Sequence, residues 1–155
     1  MGGDRILNSK DKKHLFQKMR EQWGTDTDCF KDMVIMKKSS GKIFMSNMES
    51  AKLEQEINVR IYSMGNYFGK EEKDALRLSI EGSQMIGPHS TKNIIELDDS
   101  QIKEWISGND VEISERFDGY CIVRNGNDFY GCGNAKHGRL INHVPKTRRI
   151  KNIIE

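Results

Sequence analysis

The stretch from Phe117 to Ile150, FDGYCIVRNGNDFYGCGNAKHGRLINHVPKTRRI, constrains the fold more than any other part of the chain. Two strand-like runs, Tyr120-Cys121-Ile122-Val123 and Phe129-Tyr130, flank the polar segment Asn125-Gly126-Asn127-Asp128. An Asn-Gly turn between such runs predicts a β-hairpin. Gly131, Gly133 and Gly138 follow, where backbone must turn sharply or approach something closely. The stretch ends in a basic run, Lys146 to Lys151. A twisted hairpin feeding a cationic tail predicts a small β-barrel that presents positive charge to a polyanion.

Charge distribution sharpens this. From Gly131 onward there are six basic residues, Lys136, Arg139, Lys146, Arg148, Arg149 and Lys151, against one acid, Glu155. That segment carries +5, so the rest must sum to −3 to give the whole-chain +2. Residues 96–118 hold eight acids, Glu96, Asp98, Asp99, Glu104, Asp110, Glu112, Glu115 and Asp118, against Lys103 and Arg116. One basic pole and one acidic face suit a protein that docks a polyanion on one side.

The remaining chain supplies ordinary α+β elements. Leu15, Phe16, Met19 and Trp23 share one helical stripe, predicting a helix over 9–23 capped by Ser9 or Asn8 and ended by Gly24. Strands are expected at Met33–Met36 and Ile43–Met45, with Lys37 and Lys38 keeping the turn between them in water. A short helix over 49–56 and a strand over 58–64 come next, then a glycine loop from Gly65 to Lys70. The charged run Lys70–Asp74 reads as a seam. Beyond it lie a strand at Ala75–Ser79, a turn or short helix over Glu81–Gly87, and a strand at Asn93–Leu97. A helix to Ser107, capped by Asp98 or Ser100, and a short strand at Val111–Ile113 complete the set. Leu76, Leu78, Ile94, Leu97, Ile102, Trp105, Ile122, Val123, Leu140 and Val144 are expected to form a self-contained C-terminal core. No apolar run approaches the ~20 residues of a membrane span. Met1 to Arg5 do not read as a signal peptide. Three cysteines without a C-x-x-C pair indicate a reduced, cytoplasmic protein.

Tyr130-Gly131-Cys132-Gly133 and Gly138-Arg139-Leu140-Ile141-Asn142-His143-Val144-Pro145-Lys146 resemble the closing strands of the PUA-like domain at the C-terminus of Sun-family RNA cytosine-C5 methyltransferases. Ile141 departs from the pattern, which often has Lys there. Residues 58–70 resemble more weakly, through Arg60, the module preceding that domain in Sun-family enzymes and in ribosome-biogenesis factors of similar architecture. The resemblance implies an α+β chain: a small pre-PUA-like module over 1–73, then a PUA-type mixed β pseudo-barrel over 74–155. It implies RNA binding through the first strand-to-helix connection (Ser79, Gly82, Gln84) and through Gly131, Gly133, Lys136, Arg139, Asn142, His143, Lys146, Arg148 and Arg149. Gly82 equally reads as a helical-turn residue, and His143 as a loop histidine. The implied partners are ribosomal or transfer RNA, together with an RNA-modifying enzyme or a pre-ribosomal protein.

Catalytic signatures do not accompany the resemblance. A Sun-type enzyme needs a doubly wound cofactor domain and cysteines in Pro-Cys and Thr-Cys contexts; Asp28-Cys29, Tyr120-Cys121 and Gly131-Cys132 match neither. There is no G-x-G-x-x-G, Walker loop or G-x-S-x-G elbow, so no cofactor is expected. The spacing of Cys132, His137 and His143 fits no zinc pattern. Non-catalytic RNA binding is therefore the leading reading. A small hydrolase or nuclease on a PUA-like barrel is the alternative, and it requires a Lys-plus-Glu cluster in the barrel cleft.

Overall fold

The computed structural model describes residues 4–47, 66–73, 75–115 and 117–150. The expected helix over 49–56 and strand over 58–64, Arg60 included, lie outside these residues.

Helix α1 (Ser9–Trp23) forms as its stripe predicts, burying Leu15, Phe16, Met19 and Trp23. Asn8 is the cap: its side chain accepts from the Asp11 N–H at 2.9 Å. Gly24 ends the helix in the left-handed region at φ 61°, a conformation glycine adopts without a Cβ penalty. The first sheet is antiparallel, in the order β1 (Arg5–Ile6), β2 (Val34–Lys37), β3 (Lys42–Ser46), β4 (Asn66–Glu72), β5 (Ala75–Leu78). Ile35, Ile43, Met45, Phe68, Leu76 and Leu78 pack against α1 in one core.

Two expectations change here. Residues 66–70 are not a glycine loop but belong to β4, a central strand. A Cβ on Gly69 would lie 2.4 Å from the Arg77 carbonyl oxygen, so the glycine admits a close neighbouring strand rather than breaking one. Residues 70–73 of the charged run belong to β4 and the turn after it, β4 pairs with β5, and β5 therefore completes the first sheet.

Ser79 then caps α2 (Ile80–Ile86), accepting from the Gly82 N–H at 2.9 Å. A 3-10 turn, Gly87–His89, leads to β6 (Ile94–Glu96). Asp98 caps α3 (Asp99–Ile106) in a capping box with Gln101. The second sheet is mixed: β6, β8 (Gly119–Asn125), β9 (Asp128–Lys136), β10 (Arg139–Ile141), β7 (Val111–Glu112), with β6 parallel to β8 and the other pairs antiparallel. The architecture is α+β with a PUA-like second half. The expected hairpin is β8–β9. Among the described residues no helix is long and apolar enough to cross a membrane.

The two sheets share a core. Ile122 and Cys132 of the second sheet, and Ile86 of α2, pack with Trp23 and the first sheet. Leu76, Leu78 and Ile122 were expected in a separate C-terminal core. That core instead holds Ile95, Leu97, Ile102, Trp105, Val111, Cys121, Val123, Ala135, Leu140 and Val144. Helix α1 makes polar contacts with both halves. The Gln22 side chain exchanges two hydrogen bonds with the Leu76 backbone, at 3.0 and 2.7 Å. The Trp23 carbonyl accepts from the N–H groups of Thr91 (2.8 Å) and Lys92 (3.0 Å), so a carbonyl left over at the helix end is satisfied from the other half.

Candidate nucleic-acid interface

Strand alternation in β5 sends Leu76 and Leu78 into the core and leaves Arg77 half-buried on the opposite side. Arg77 there lines a cleft of about 110 Å³ with Tyr67, Ser79, Glu81, His143 and Arg148; Gly131 and Cys132 of β9 also contribute to its wall. This volume is that of roughly four waters, enough for one small planar or anionic group. The cleft joins the first sheet, α2, β9 and the C-terminal segment.

Both arginines of the cleft are paired with carboxylates, Arg77 with Glu72 at 3.3 Å and Arg148 with Glu81. Burial, with the Arg77 guanidinium nearby, holds the His143 imidazole below its ordinary value, so the ring is neutral at pH 7. Its Nε2 is buried without a hydrogen-bond partner among the described residues. Burial raises the Tyr67 hydroxyl against the opposing pull of Arg77. Tyr120, its ring 6.0 Å from that of His143, is raised by burial and by donating to Glu72 at 3.0 Å. Arg148 pairs with Glu81 at 2.8 Å, both half in solvent. Burial pushes the Cys132 thiol up to about 12, so it supplies no thiolate nucleophile. Among the described residues no lysine lines the cleft, and the carboxylate that does, Glu81, is held by Arg148. A Lys-plus-Glu cluster occurs elsewhere among the described residues, where Lys18 and Lys37 both contact Glu71 in a pocket between α1 and the first sheet. The cleft can bind an anion or a polar ring; it offers no activated nucleophile.

The expected site residues divide. Ser79, Gly131, His143 and Arg148 meet in the cleft, and Lys146 stands beside it, exposed, in the 3-10 turn Lys146–Arg148. Lys136 and Arg139 are exposed at the far end of β9–β10, ~17 Å along the strand from Gly131. Arg139 sits opposite Glu112 there. Gln84 is exposed outside the cleft, donating to the Phe129 carbonyl at 3.4 Å.

Several of these residues do structural work instead. Gly131 and Gly133 are buried within β9. A Cβ at Gly133 would stand 2.6 Å from the Trp105 ring, and one at Gly131 would touch Ile80. Gly133 therefore admits the protein's own Trp105 and Leu140 side chains, whereas Gly131 is required by its backbone, at φ 103°. Gly82 is likewise filled by β4: a Cβ there would lie 2.0 Å from the Phe68 carbonyl oxygen. Asn142 is fully employed. Its amide donates to the Trp105 and Asn109 carbonyls, its N–H to the Asp110 carboxylate, and its side-chain oxygen accepts from the Val144 N–H. Arg149 does not point to water but lies over Gly108 and donates to the Val144 carbonyl at 3.0 Å. Cys132 and His143 share the cleft while His137 sits at the β9–β10 turn, so the three do not converge on a metal.

Tyr67, Arg77 and Glu81 were not anticipated. The alternation Leu76-Arg77-Leu78 was the available signal for Arg77. Tyr67 was hidden by reading 65–70 as a loop.

Residues 92–150 match the family model described as the methyltransferase RsmF PUA domain. No curated protein matches the chain. The matched stretch runs from just before β6 to the C-terminal 3-10 turn and includes His143, Lys146 and Arg148; it excludes the first sheet and α2. Residues 92–150 are thus similar to the PUA domain of methyltransferase RsmF, in keeping with the resemblance of their motifs to the C-terminal region of Sun-family enzymes.

Proposed function

We propose that this is a non-catalytic RNA-binding protein of the PUA type. It acts in the cytoplasm on ribosomal or transfer RNA, in ribosome biogenesis or as the RNA-targeting subunit of a 5-methylcytosine-type modifying enzyme. The observation that carries this reading is the cleft in which Arg77, Arg148 and a neutral His143 converge, its C-terminal wall lying within the segment similar to a PUA domain. Arg148, Lys146 and Arg77 take phosphates, and Lys136 and Arg139 extend the contact along β9–β10. His143 and Tyr67 offer ring faces and hydrogen-bonding groups to an unpaired end. Selectivity comes from RNA shape rather than a base code. A pre-PUA-like unit and a PUA unit divide the work, the first positioning the cleft through β4 and β5.

The test is a double reversal, Lys146→Glu with Arg148→Glu. RNA affinity should fall by about tenfold or more at ~100 mM salt, while stability changes by less than ~1 kcal/mol because the Arg148–Glu81 pair is exposed. Reversing Glu112 and Glu115 to Lys should not weaken binding. A folded Lys146/Arg148 variant with unchanged affinity would move the interface elsewhere. Crosslinking in the native host, followed by sequencing of the bound RNA, should return ribosomal or transfer RNA.

A further inference from the structure

At one end of the inner face of the first sheet, charge replaces hydrocarbon. Lys37 of β2 stands opposite Ile43, and Glu71 of β4 opposite Leu76. Ile43 and Leu76 are buried in the core, so Lys37 and Glu71 share their face and turn toward α1. On α1, Asp11, His14, Leu15 and Lys18 recur at i, i+3, i+4 and i+7 and form the other wall. With Arg5, Leu7 and Ile43 these residues line a pocket of about 240 Å³, the volume of roughly eight waters. It shares no residue with the cleft around Arg77.

The cations of this pocket are paired, but unequally. Lys18 and Lys37 both donate to Glu71, one to each carboxylate oxygen. Arg5 lies 3.6 Å from Asp11, beyond a normal hydrogen bond. Three permanent cations thus line the pocket with two carboxylates. The single charge of Glu71 leaves one ammonium without a counter-charge in a half-buried setting, where screening is weak. Donors are in excess as well. Each ammonium uses one N–H on Glu71 and keeps the others, and the Arg5 guanidinium makes no hydrogen bond among the described residues. Arg5 and Lys37 also stand directly opposite each other across β1 and β2, and like charges so placed destabilise a sheet. Beyond His14, the adjoining surface adds Lys10, Lys13 and Arg20, none of which meets a carboxylate among the described residues. Glu21, beside them, accepts from Gln17.

We infer that this pocket binds a phosphate monoester, its terminal dianionic phosphate held by Lys18, Lys37 and Arg5 while Glu71 fixes the two ammoniums in place. A phosphate dianion supplies the missing counter-charge and has acceptor oxygens for the unused donors. Leu7, Leu15 and Ile43 in the wall suit the carbon part of the ester. A concave pocket takes a chain end or a small molecule rather than the run of a nucleic-acid backbone. The site lies outside residues 92–150 and does not depend on the RNA-binding reading.

Calorimetry on the full chain tests this with inorganic phosphate and uridine 5′-monophosphate, and with uridine as the control. Both phosphates should bind saturably, and uridine should not. Lys18→Gln leaves Lys37 on Glu71 and should weaken binding about tenfold, as loss of a charge-assisted contact does. Arg5→Gln, at an exposed position, should act in the same direction and decides the matter if Lys18→Gln does not fold. Glu71→Gln should act in the opposite direction. Without ligand it should melt lower, because two ammoniums then face no carboxylate, and the monophosphate should bind it more tightly and raise its melting temperature more than that of the parent. An ion cluster that only holds α1 to the sheet would show no such reversal. The Lys146→Glu/Arg148→Glu variant should bind the monophosphate unchanged. Tighter binding of a 5′-phosphorylated RNA than of its 5′-hydroxyl form, with the gain lost in Lys18→Gln, identifies the ester as an RNA end. Monophosphate binding without that gain identifies a small phosphate ester. No saturable binding of either phosphate, or affinities that Lys18→Gln, Arg5→Gln and Glu71→Gln leave unaltered, overturns the proposal. The reading of the cleft would then still stand if the Lys146/Arg148 reversal weakens RNA binding.

Discussion

Replacing Trp23 with alanine should cost about 3–5 kcal/mol, as large-to-small changes at buried aromatics do. Trp23 is fully buried where α1, the first sheet, Ile122 and Cys132 meet. Its indole N–H donates to the Tyr120 carbonyl at 3.1 Å. The substitution leaves a cavity and a half-buried carbonyl without its donor, and both effects act at the junction of the two sheets. Against a total of about 5–15 kcal/mol this is a large fraction. Urea unfolding should show one transition moved to lower denaturant by probes of either half, because the core is shared. Two separate transitions, with only the first displaced, would mean the halves are independent. Exposed Lys13→Ala on the same helix should change stability by less than ~0.5 kcal/mol.

Gly82→Ala gives the second large effect, and its sign is the informative part. Within a helix, alanine normally gains about 0.5–1 kcal/mol over glycine. At Gly82 the added Cβ would stand 2.0 Å from the Phe68 carbonyl oxygen and 3.0 Å from its carbon. Both are backbone atoms, so no rotamer change relieves the clash, and α2 must move off β4. Overpacking of this kind costs about 1–3 kcal/mol or more, which outweighs the propensity gain. The variant should melt below the unmodified protein and bind RNA more weakly, since Ser79 and Glu81 flank the displaced residue. A melting temperature at or above that of the parent would show that the helix does not sit against β4 as described.

Local sequence recorded much of this fold. The Leu15, Phe16, Met19 and Trp23 stripe, the Asp98 cap and the Asn125–Asp128 turn each act within a few residues, and each stands where the pattern predicts. What local sequence did not record has one physical cause. Gly69, Gly82 and Gly133 announce close approach, but what approaches is set by tertiary packing: the Arg77 and Phe68 carbonyls and the Trp105 ring. Asn142 and Arg149 have the chemistry of RNA contacts; Asn142 bonds to α3 and to the loop after it, and Arg149 lies over Gly108 of that loop while donating to Val144. The cleft was half legible. His143 and Arg148 lie in a recognisable motif, whereas Tyr67 and Arg77 reach it only because two sheets share a core.

Electrostatic docking of RNA is the central claim, and the dependence of affinity on salt tests it most directly. Four to five cations at phosphates, each contributing roughly −0.7 to −0.9, predict a slope of log K against log salt of about −3 to −4. The measurement is an equilibrium titration of RNA at ionic strengths from ~50 to ~200 mM. A slope in that range, made shallower by about one or more units in the Lys146→Glu/Arg148→Glu variant, agrees with docking at the cleft. An affinity that does not change with salt would contradict it.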